Sequence, residues 1–221
     1  QKACSIGDKA FTHLLTCIRP GMTEQEIALE LEFYIRKQGY ALSFPSIVAF
    51  GKNSAVPHHH TSNKKLQERD IILLDFGVLY DSYCSDMSRT VFVGEPTEEQ
   101  KKTYATVLEA QQQALNYLSD QLKNSQKISA SLIDKQAREY VLSQGYPPLP
   151  HALGHGIGIE VHEAPTLSMR SEQILTDGMV FSIEPGIYLP GKYGVRIEDL
   201  FSIQNNQLVT LTHADTAIIT L

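Results

Sequence analysis

IILLDFGVLY, residues Ile71–Tyr80, puts a carboxylate directly after four large apolar residues, and FSIEPGIY, residues Phe181–Tyr188, does nearly the same further on. β-branched and apolar runs of this length predict buried strands, and an unpaired charge buried there costs several kcal/mol. Asp75 and Glu184 therefore need partners. A salt bridge or a strand-end hydrogen bond would satisfy one isolated acid. Here each acid has a second one downstream on the returning strand, Asp86 after Asp75 and Glu198 after Glu184.

The two stretches sit in matching surroundings. Upstream of Asp75 come a helix, Gln38-Gly39-Tyr40 and a His-bearing loop; upstream of Glu184 come a helix, Gln144-Gly145-Tyr146 and another His-bearing loop. The order agrees element for element, which predicts two similar α/β halves facing each other across a central cleft. Helical spacing of Ala10, Leu14, Cys17 and Ile18 predicts a first helix over residues 1–18, ended by Arg19-Pro20-Gly21. Thr23 with Glu26, and Thr97 with Gln100, form capping boxes that open helices running to Gly39 and toward Gln121. A fourth helix spans Ser129–Ser143. Strands are expected at Ser46–Phe50, Ile71–Tyr80, Tyr83–Val93, Met179–Tyr188, Val195–Ile203 and Leu208–Leu221, and the fold class is α+β.

Composition narrows the function. With 42% hydrophobic and 20% charged residues over 221 positions, the chain can bury a real core. Its net charge of -6, from 19 Lys+Arg against 25 Asp+Glu, argues against nucleic acid or anionic lipid as a partner. No apolar run approaches the roughly 20 residues a bilayer requires. Cys4, Cys17 and Cys84 are odd in number and not closely paired, which fits a reducing compartment, with cytoplasm as the expected location.

Four converging acids repel one another and raise their own pKa values, so the arrangement makes sense mainly around divalent metal. His155, in His151-Ala152-Leu153-Gly154-His155-Gly156-Ile157-Gly158, supplies an imidazole among small residues that let the backbone pack closely. Carboxylates with one His suit a two-metal site of manganese, cobalt or zinc and disfavour copper(I) or an iron–sulfur cluster. Cys84 would share a strand face with Asp86, although a packed thiol is the simpler role.

The set Asp75, Asp86, His155, Glu184 and Glu198, within the strings PHHH, HGIGIEVHE, SIEPGIY and VRIED, resembles the pita-bread metallopeptidases. That family includes methionine aminopeptidases, aminopeptidase P and Xaa-Pro dipeptidases, and the SIEPGIY and VRIED strings resemble its proline-specific branch. The resemblance implies a pita-bread fold, two pseudo-symmetric halves around a curved, mainly antiparallel sheet. It also implies a two-metal peptidase that cleaves the Xaa-Pro bond of dipeptides or peptides with a metal-bridging hydroxide. Manganese is the expected ion, with cobalt or zinc as alternatives.

Residue by residue, the resemblance implies that Asp75 chelates one ion, that Asp86 and Glu198 bridge both, and that His155 and Glu184 complete the coordination of the second ion. Glu184 would also be the general base. His58 and His162 would hydrogen-bond the scissile amide and the developing oxyanion, with His59 and His60 solvated. His151 and Arg196 would line the substrate site, Arg196 having Asp199 as an alternative partner and Tyr188 adding a wall. The expected organisation is one catalytic domain over residues 1–221 without the N-terminal domain usual in the proline-specific branch, so that the chain reads as the catalytic part of a longer peptidase. A homodimer is among the expected assemblies. The competing readings are a methionine aminopeptidase-like enzyme and a non-catalytic binding module of the same fold.

Overall fold

Both capping boxes form, and the helices they open are amphipathic. The computed structural model describes residues 1–221 and contains α1 (Lys2–Cys17), α2 (Glu24–Lys37), α3 (Glu98–Lys123) and α4 (Ala130–Ser143). Thr23 Oγ1 accepts from Glu26 N at 3.1 Å while Glu26 Oε2 accepts from Thr23 N at 2.7 Å, and Thr97 with Gln100 repeats the exchange. Their strand partners run in chain order as β1 (Ala41–Leu42), β2 (Ile47–Phe50), β3 (Ile71–Phe76), β4 (Val78–Tyr80), β5 (Tyr83–Cys84), β6 (Met87–Phe92) and β7 (Ile128–Ser129). There follow β8 (Gly154–Gly156), β9 (Glu163–Leu167), β10 (Ile174–Leu175), β11 (Val180–Ile183), β12 (Gly186–Leu189), β13 (Tyr193–Arg196), β14 (Asp199–Gln204) and β15 (Gln207–Thr210).

The pairing is antiparallel within every sheet. One sheet has the order β2-β3-β6 and is backed by α1 and α2; another has the order β15-β14-β11-β8-β9 and is backed by α3 and α4. Alternation divides β3 between two environments. Ile72, Leu74 and Phe76 pack with Phe11, Leu14, Ile27 and Leu31 of the helices, so Leu73 and Asp75 point to the opposite face, toward the second half. Burial on both faces explains why β3 is a continuous apolar run. In β11 the parity is the same: Phe181 and Ile183 join the core with Val107, Ala110 and Ala114, and Ser182 and Glu184 face inward.

The expected long strands are broken. Each half carries a hairpin whose two arms are interrupted at the same level and keep their register across the interruption. Phe76 pairs with Met87 below one break and Leu79 with Cys84 above it; Ile183 pairs with Asp199 and Gly186 with Arg196 around the other. Two local causes act. A Cβ on Gly77 would lie 1.9 Å from the Ser85 carbonyl oxygen, an approach only glycine allows, and Pro185 has no N–H to give to a ladder. The expected strand at Leu208–Leu221 is shortened to β15, and the chain beyond it is held by side chains such as Arg89 and by backbone bonds between Phe92 and both Ile219 and Leu221.

Breaking a ladder leaves backbone groups to satisfy. Gln111 of α3, buried, donates to the Ile183 carbonyl at 3.1 Å and to Asp199 Oδ2 at 3.1 Å. Arg89 of β6, 1% exposed, donates to the carbonyls of Ser88, Glu198, Ala214 and Asp215 and is paired with Asp199. It thus binds one half's strand to the other half's break and to the chain's end. Arg89→Ala would remove the cation paired with buried Asp199 and a donor from four carbonyls, and the expected loss is about 3–5 kcal/mol, a Tm lower by roughly 6–20 °C. Thermal unfolding followed by circular dichroism measures it, and a shift of a degree or two would refute this role.

Candidate metal centre and active-site cleft

The two breaks face each other across a cleft of about 500 Å³ lined by His58, Asp75, Asp86, His151, His155, His162, Glu184, Arg196 and Glu198, with Phe44, Ile47 and Val161 as apolar walls. The constant register explains the arrangement of the acids. Glu184 and Glu198 stand opposite each other in the unpaired gap of the second hairpin, and Asp86 lies in the gap of the first. Asp75 sits on β3 just before its break.

The structure brings all five expected ligands together. His155 Nε2 lies 3.2 Å from Glu184 Oε1, 3.8 Å from Asp86 Oδ2 and 4.0 Å from Glu198 Oε1. Its Nδ1 must carry a proton, since it is 3.0 Å from the Gly156 carbonyl, which can only accept; Nε2 is thereby turned to the carboxylates. Glycines hold this strand close: a Cβ on Gly154 would meet the Ser182 oxygen at 2.0 Å and one on Gly156 the Ala164 oxygen at 2.1 Å.

The electrostatics are those of a cluster lacking cations. Burial pushes the Asp86 and Glu198 carboxyls well above their ordinary range, and the neighbouring acids push the same way. Burial also raises Asp75, against the pull of Arg196. For His155, burial lowers the imidazole, but the Glu184 hydrogen bond and the charges of Glu184 and Glu198 outweigh it and lift the value to about 9. Glu184 is correspondingly held low despite its burial. The His155 proton thus supplies positive charge at the centre of the cluster.

A divalent metal fits the residues present. Asp75 Oδ1, Asp86 Oδ1 and Glu198 Oε1 are buried without any hydrogen-bond partner, and donor atoms of Asp86, His155 and Glu198 lie within 4.8 Å of one another. Oxygen donors with one imidazole suit hard to borderline divalent ions.

Arg196 lines the cleft, but its carboxylate partner is not the Asp199 that the sequence offered as an alternative. It pairs with Asp75 Oδ2 at 2.6 Å rather than with Asp199, which belongs to Arg89. Its other donors reach Ser88 Oγ at 2.7 Å, Tyr188 OH at 2.9 Å and the Pro57 carbonyl at 3.2 Å. Asp75 is left with Oδ1 as its free oxygen. His151, neutral because burial lowers its pKa, donates from Nδ1 to the Ala152 carbonyl at 2.7 Å and accepts from Tyr188 OH at Nε2, 3.0 Å away. Tyr188 is therefore a buried link between His151 and Arg196, not a wall of the cleft.

His162 stands at the rim with its ring edge-on to His155, centroids 4.3 Å apart, and partial burial and the His155 charge both lower its pKa. His58 is exposed on the loop across the cleft. Cys84 does not line the cleft; its Sγ donates to the Ile159 carbonyl at 3.4 Å.

Several residues at the site were not anticipated. Ser88 Oγ donates to Glu198 Oε2 at 2.8 Å, and Ser182 Oγ donates to Glu184 Oε1 at 3.1 Å while accepting from His155 N at 3.0 Å. The signal was available: Ser88 lies two residues after Asp86 and Ser182 two before Glu184, on the same strand faces. Glu24 carried no such signal. It is fully buried at the start of α2, where Oε1 accepts from Phe50 N and Asn53 Nδ2, both at 2.8 Å. Its Oε2 accepts from His59 Nε2 at 2.8 Å, Ser62 N at 2.9 Å and Ser62 Oγ at 2.6 Å. His59 is thus an anchor, contrary to the expectation that it is solvated, and the anchor holds the loop that presents His58.

The comparisons with known proteins agree with this geometry. Residues 1–205 match the model of metallopeptidase family M24. The chain is 40% identical over 221 residues to a Xaa-Pro dipeptidase of Pyrococcus horikoshii, covering 99% of the chain and 61% of that protein. An X-Pro aminopeptidase structure from Thermotoga maritima superposes with a TM-score of 0.92 at 40% identity, and a Xaa-Pro dipeptidase structure from Bacillus anthracis with 0.91 at 43%; in both cases all of this chain covers 61% of the other. The fold is accordingly the α+β pita-bread arrangement of these structures. No helix is long and apolar enough to cross a membrane.

Two outcomes are expected. Metal added at pH 7 to chelator-treated protein should displace the proton of His155, whose pKa is lifted to about 9, acidifying a weakly buffered solution; uptake without proton release would contradict the charge state described here. Glu24→Gln would set an amide among donors and should lower stability by about 3 kcal/mol in urea unfolding. Burial raises the Glu24 carboxyl, but the bonds from Ser62, His59, Phe50 and Asn53 bring it below 4.5. Its contribution is therefore complete above that unfolded value and lost as the pH falls through the lower folded one, so the gap between wild type and variant should narrow in acid.

Proposed function

The chain belongs to metallopeptidase family M24, and from that premise we propose that it is the catalytic domain of a Xaa-Pro peptidase, using two divalent ions to hydrolyse the bond before an N-proximal proline. The observation that carries the reading is the convergence of Asp75, Asp86, His155, Glu184 and Glu198 on one cleft with three buried carboxylate oxygens unpartnered. Relatives and structural neighbours named Xaa-Pro dipeptidase and X-Pro aminopeptidase support the substrate class. Manganese is the proposed ion, with cobalt and zinc as alternatives.

Asp75, Asp86, His155, Glu184 and Glu198 would hold the metal, which when bound supplies Lewis acidity toward the scissile carbonyl and a water nucleophile at neutral pH. Ser88 and Ser182 fix one oxygen of Glu198 and of Glu184 and so aim the other. Glu184, kept ionised beside His155, is the general base that takes the water proton. His162, with its pKa lowered, is a neutral ring whose N–H can meet oxyanion charge as it develops. The scissile nitrogen of a Xaa-Pro bond bears no hydrogen, so it cannot donate to the protein and must gain a proton to leave as a secondary amine. His58 lines the cleft from the Glu24-anchored loop and would meet that end of the bond. His151 offers a ring face, both of its nitrogens being engaged, and Arg196, which lines the cleft, holds Asp75. Phe44, Ile47 and Val161 provide apolar surface for a pyrrolidine ring.

The test is hydrolysis of Ala-Pro, Met-Pro, a longer Xaa-Pro peptide and Met-Ala-Ser by chelator-treated protein resupplied with manganese or cobalt. Metal-restored cleavage of Xaa-Pro substrates is expected. Cleavage of Met-Ala-Ser alone would transfer the chain to the methionine aminopeptidase reading, and metal binding without turnover of any substrate would support a binding module. His162→Ala should lower kcat by about 10²–10³ with little change in KM.

A further inference from the structure

Away from the cleft, α1 and α2 bring three metal-type donors to one point. His13 and Cys17 lie one turn apart on α1, and Glu30 faces them from α2. His13 Nε2 is 3.3 Å from Glu30 Oε1 and 3.5 Å from Cys17 Sγ, and Cys17 Sγ is 3.7 Å from the same Glu30 oxygen. The imidazole is held in place by stacking on Tyr34, with centroids 4.3 Å apart and planes at 18°.

A thiol–imidazole–carboxylate relay would divide the ring, one nitrogen to the sulfur and the other to the acid. Here Nε2 faces both. That nitrogen has a single in-plane site, so it either donates to Glu30 or accepts from Cys17, and hydrogen atoms can satisfy at most two sides of the triangle. A cation satisfies all three. Bond lengths of about 2.0 Å to N and O and 2.3 Å to S, in a tetrahedral array, place the ligand atoms about 3.3–3.6 Å apart. The observed sides are 3.3, 3.5 and 3.7 Å.

We propose that His13, Cys17 and Glu30 form a second, separate metal site that binds a zinc-class divalent ion and staples the end of α1 to α2. The sulfur ligand selects against magnesium, calcium and manganese, so this site and the carboxylate-rich cleft would sort ions differently. The fourth tetrahedral position faces solvent, because the His13 and Glu30 side chains are 34% and 38% exposed, and water completes the shell. Cys4 is buried and Cys84 bonds the Ile159 carbonyl, so neither competes for the role.

Cobalt(II) is the probe, since a sulfur-to-cobalt charge-transfer band requires a thiolate ligand and the cleft has none. Chelator-treated protein titrated with cobalt should develop the band, Cys17→Ser and His13→Ala should lose it, and Cys84→Ser should keep it. After equilibration with zinc, wild type should carry about one more ion per chain than Cys17→Ser or His13→Ala. Zinc should also slow alkylation of Cys17 in the unaltered protein, a readout that needs no variant. Absence of the band in folded wild type, its loss only in Cys84→Ser, or equal zinc content in wild type and both variants would overturn the proposal.

Discussion

Four carboxylates and an imidazole buried within reach of one another form the constraint around which the molecule is arranged. Their mutual repulsion is too large to be absorbed by solvent, which is largely excluded, and only partly absorbed by Arg196 at Asp75. Without metal, the compensation is protonic: burial and neighbouring charge raise Asp86 and Glu198, while His155 keeps its proton up to about 9 against the opposing effect of its own burial. A centre in that condition is poised to exchange protons for divalent cations, and the chemistry of a metallopeptidase family is a natural use of it.

The backbone accommodates this cluster by interrupting its own hydrogen bonding. Continuous strands would turn successive residues in and out and leave no opening between paired arms. The breaks beside Gly77 and at Pro185 open both hairpins at one level, and the acids occupy or adjoin those openings. Gln111 and Arg89 take up the carbonyls this releases, and Arg89 does so from the opposite half. The halves are further joined by Thr90 with the Arg196 backbone and by Ser88 with Glu198. Integrity of the fold and aim of the ligands thus depend on the same few contacts.

A second theme is the use of helix starts to position loops. Glu24 is the first residue of α2, where negative charge is favoured by the helix dipole. It turns into the protein and gathers donors from β2, the following turn and the His58 loop. Added to the surface capping box of Thr23 and Glu26, this buried acceptor lets a helix terminus organise residues across the cleft rim. The same pair of helices carries His13 and Cys17 toward the end of α1 and Glu30 midway along α2.

By itself the sequence determined the helices, the α+β class, the two-halved repeat and the five acidic and imidazole residues of the cleft. Each of these is written locally, in periodicity, in capping boxes or in a charge placed where an apolar strand cannot tolerate it alone. The resemblance carried by SIEPGIY and VRIED added the proline-specific branch. Only the tertiary structure decided that Ile71–Tyr80 and Met179–Tyr188 break, that Arg196 serves Asp75 while Asp199 serves Arg89, that Tyr188 lies behind the cleft and that His59 anchors on Glu24. The reason is physical: these are choices among several chemically equivalent partners, and which donor meets which acceptor is set by packing between residues far apart in the chain.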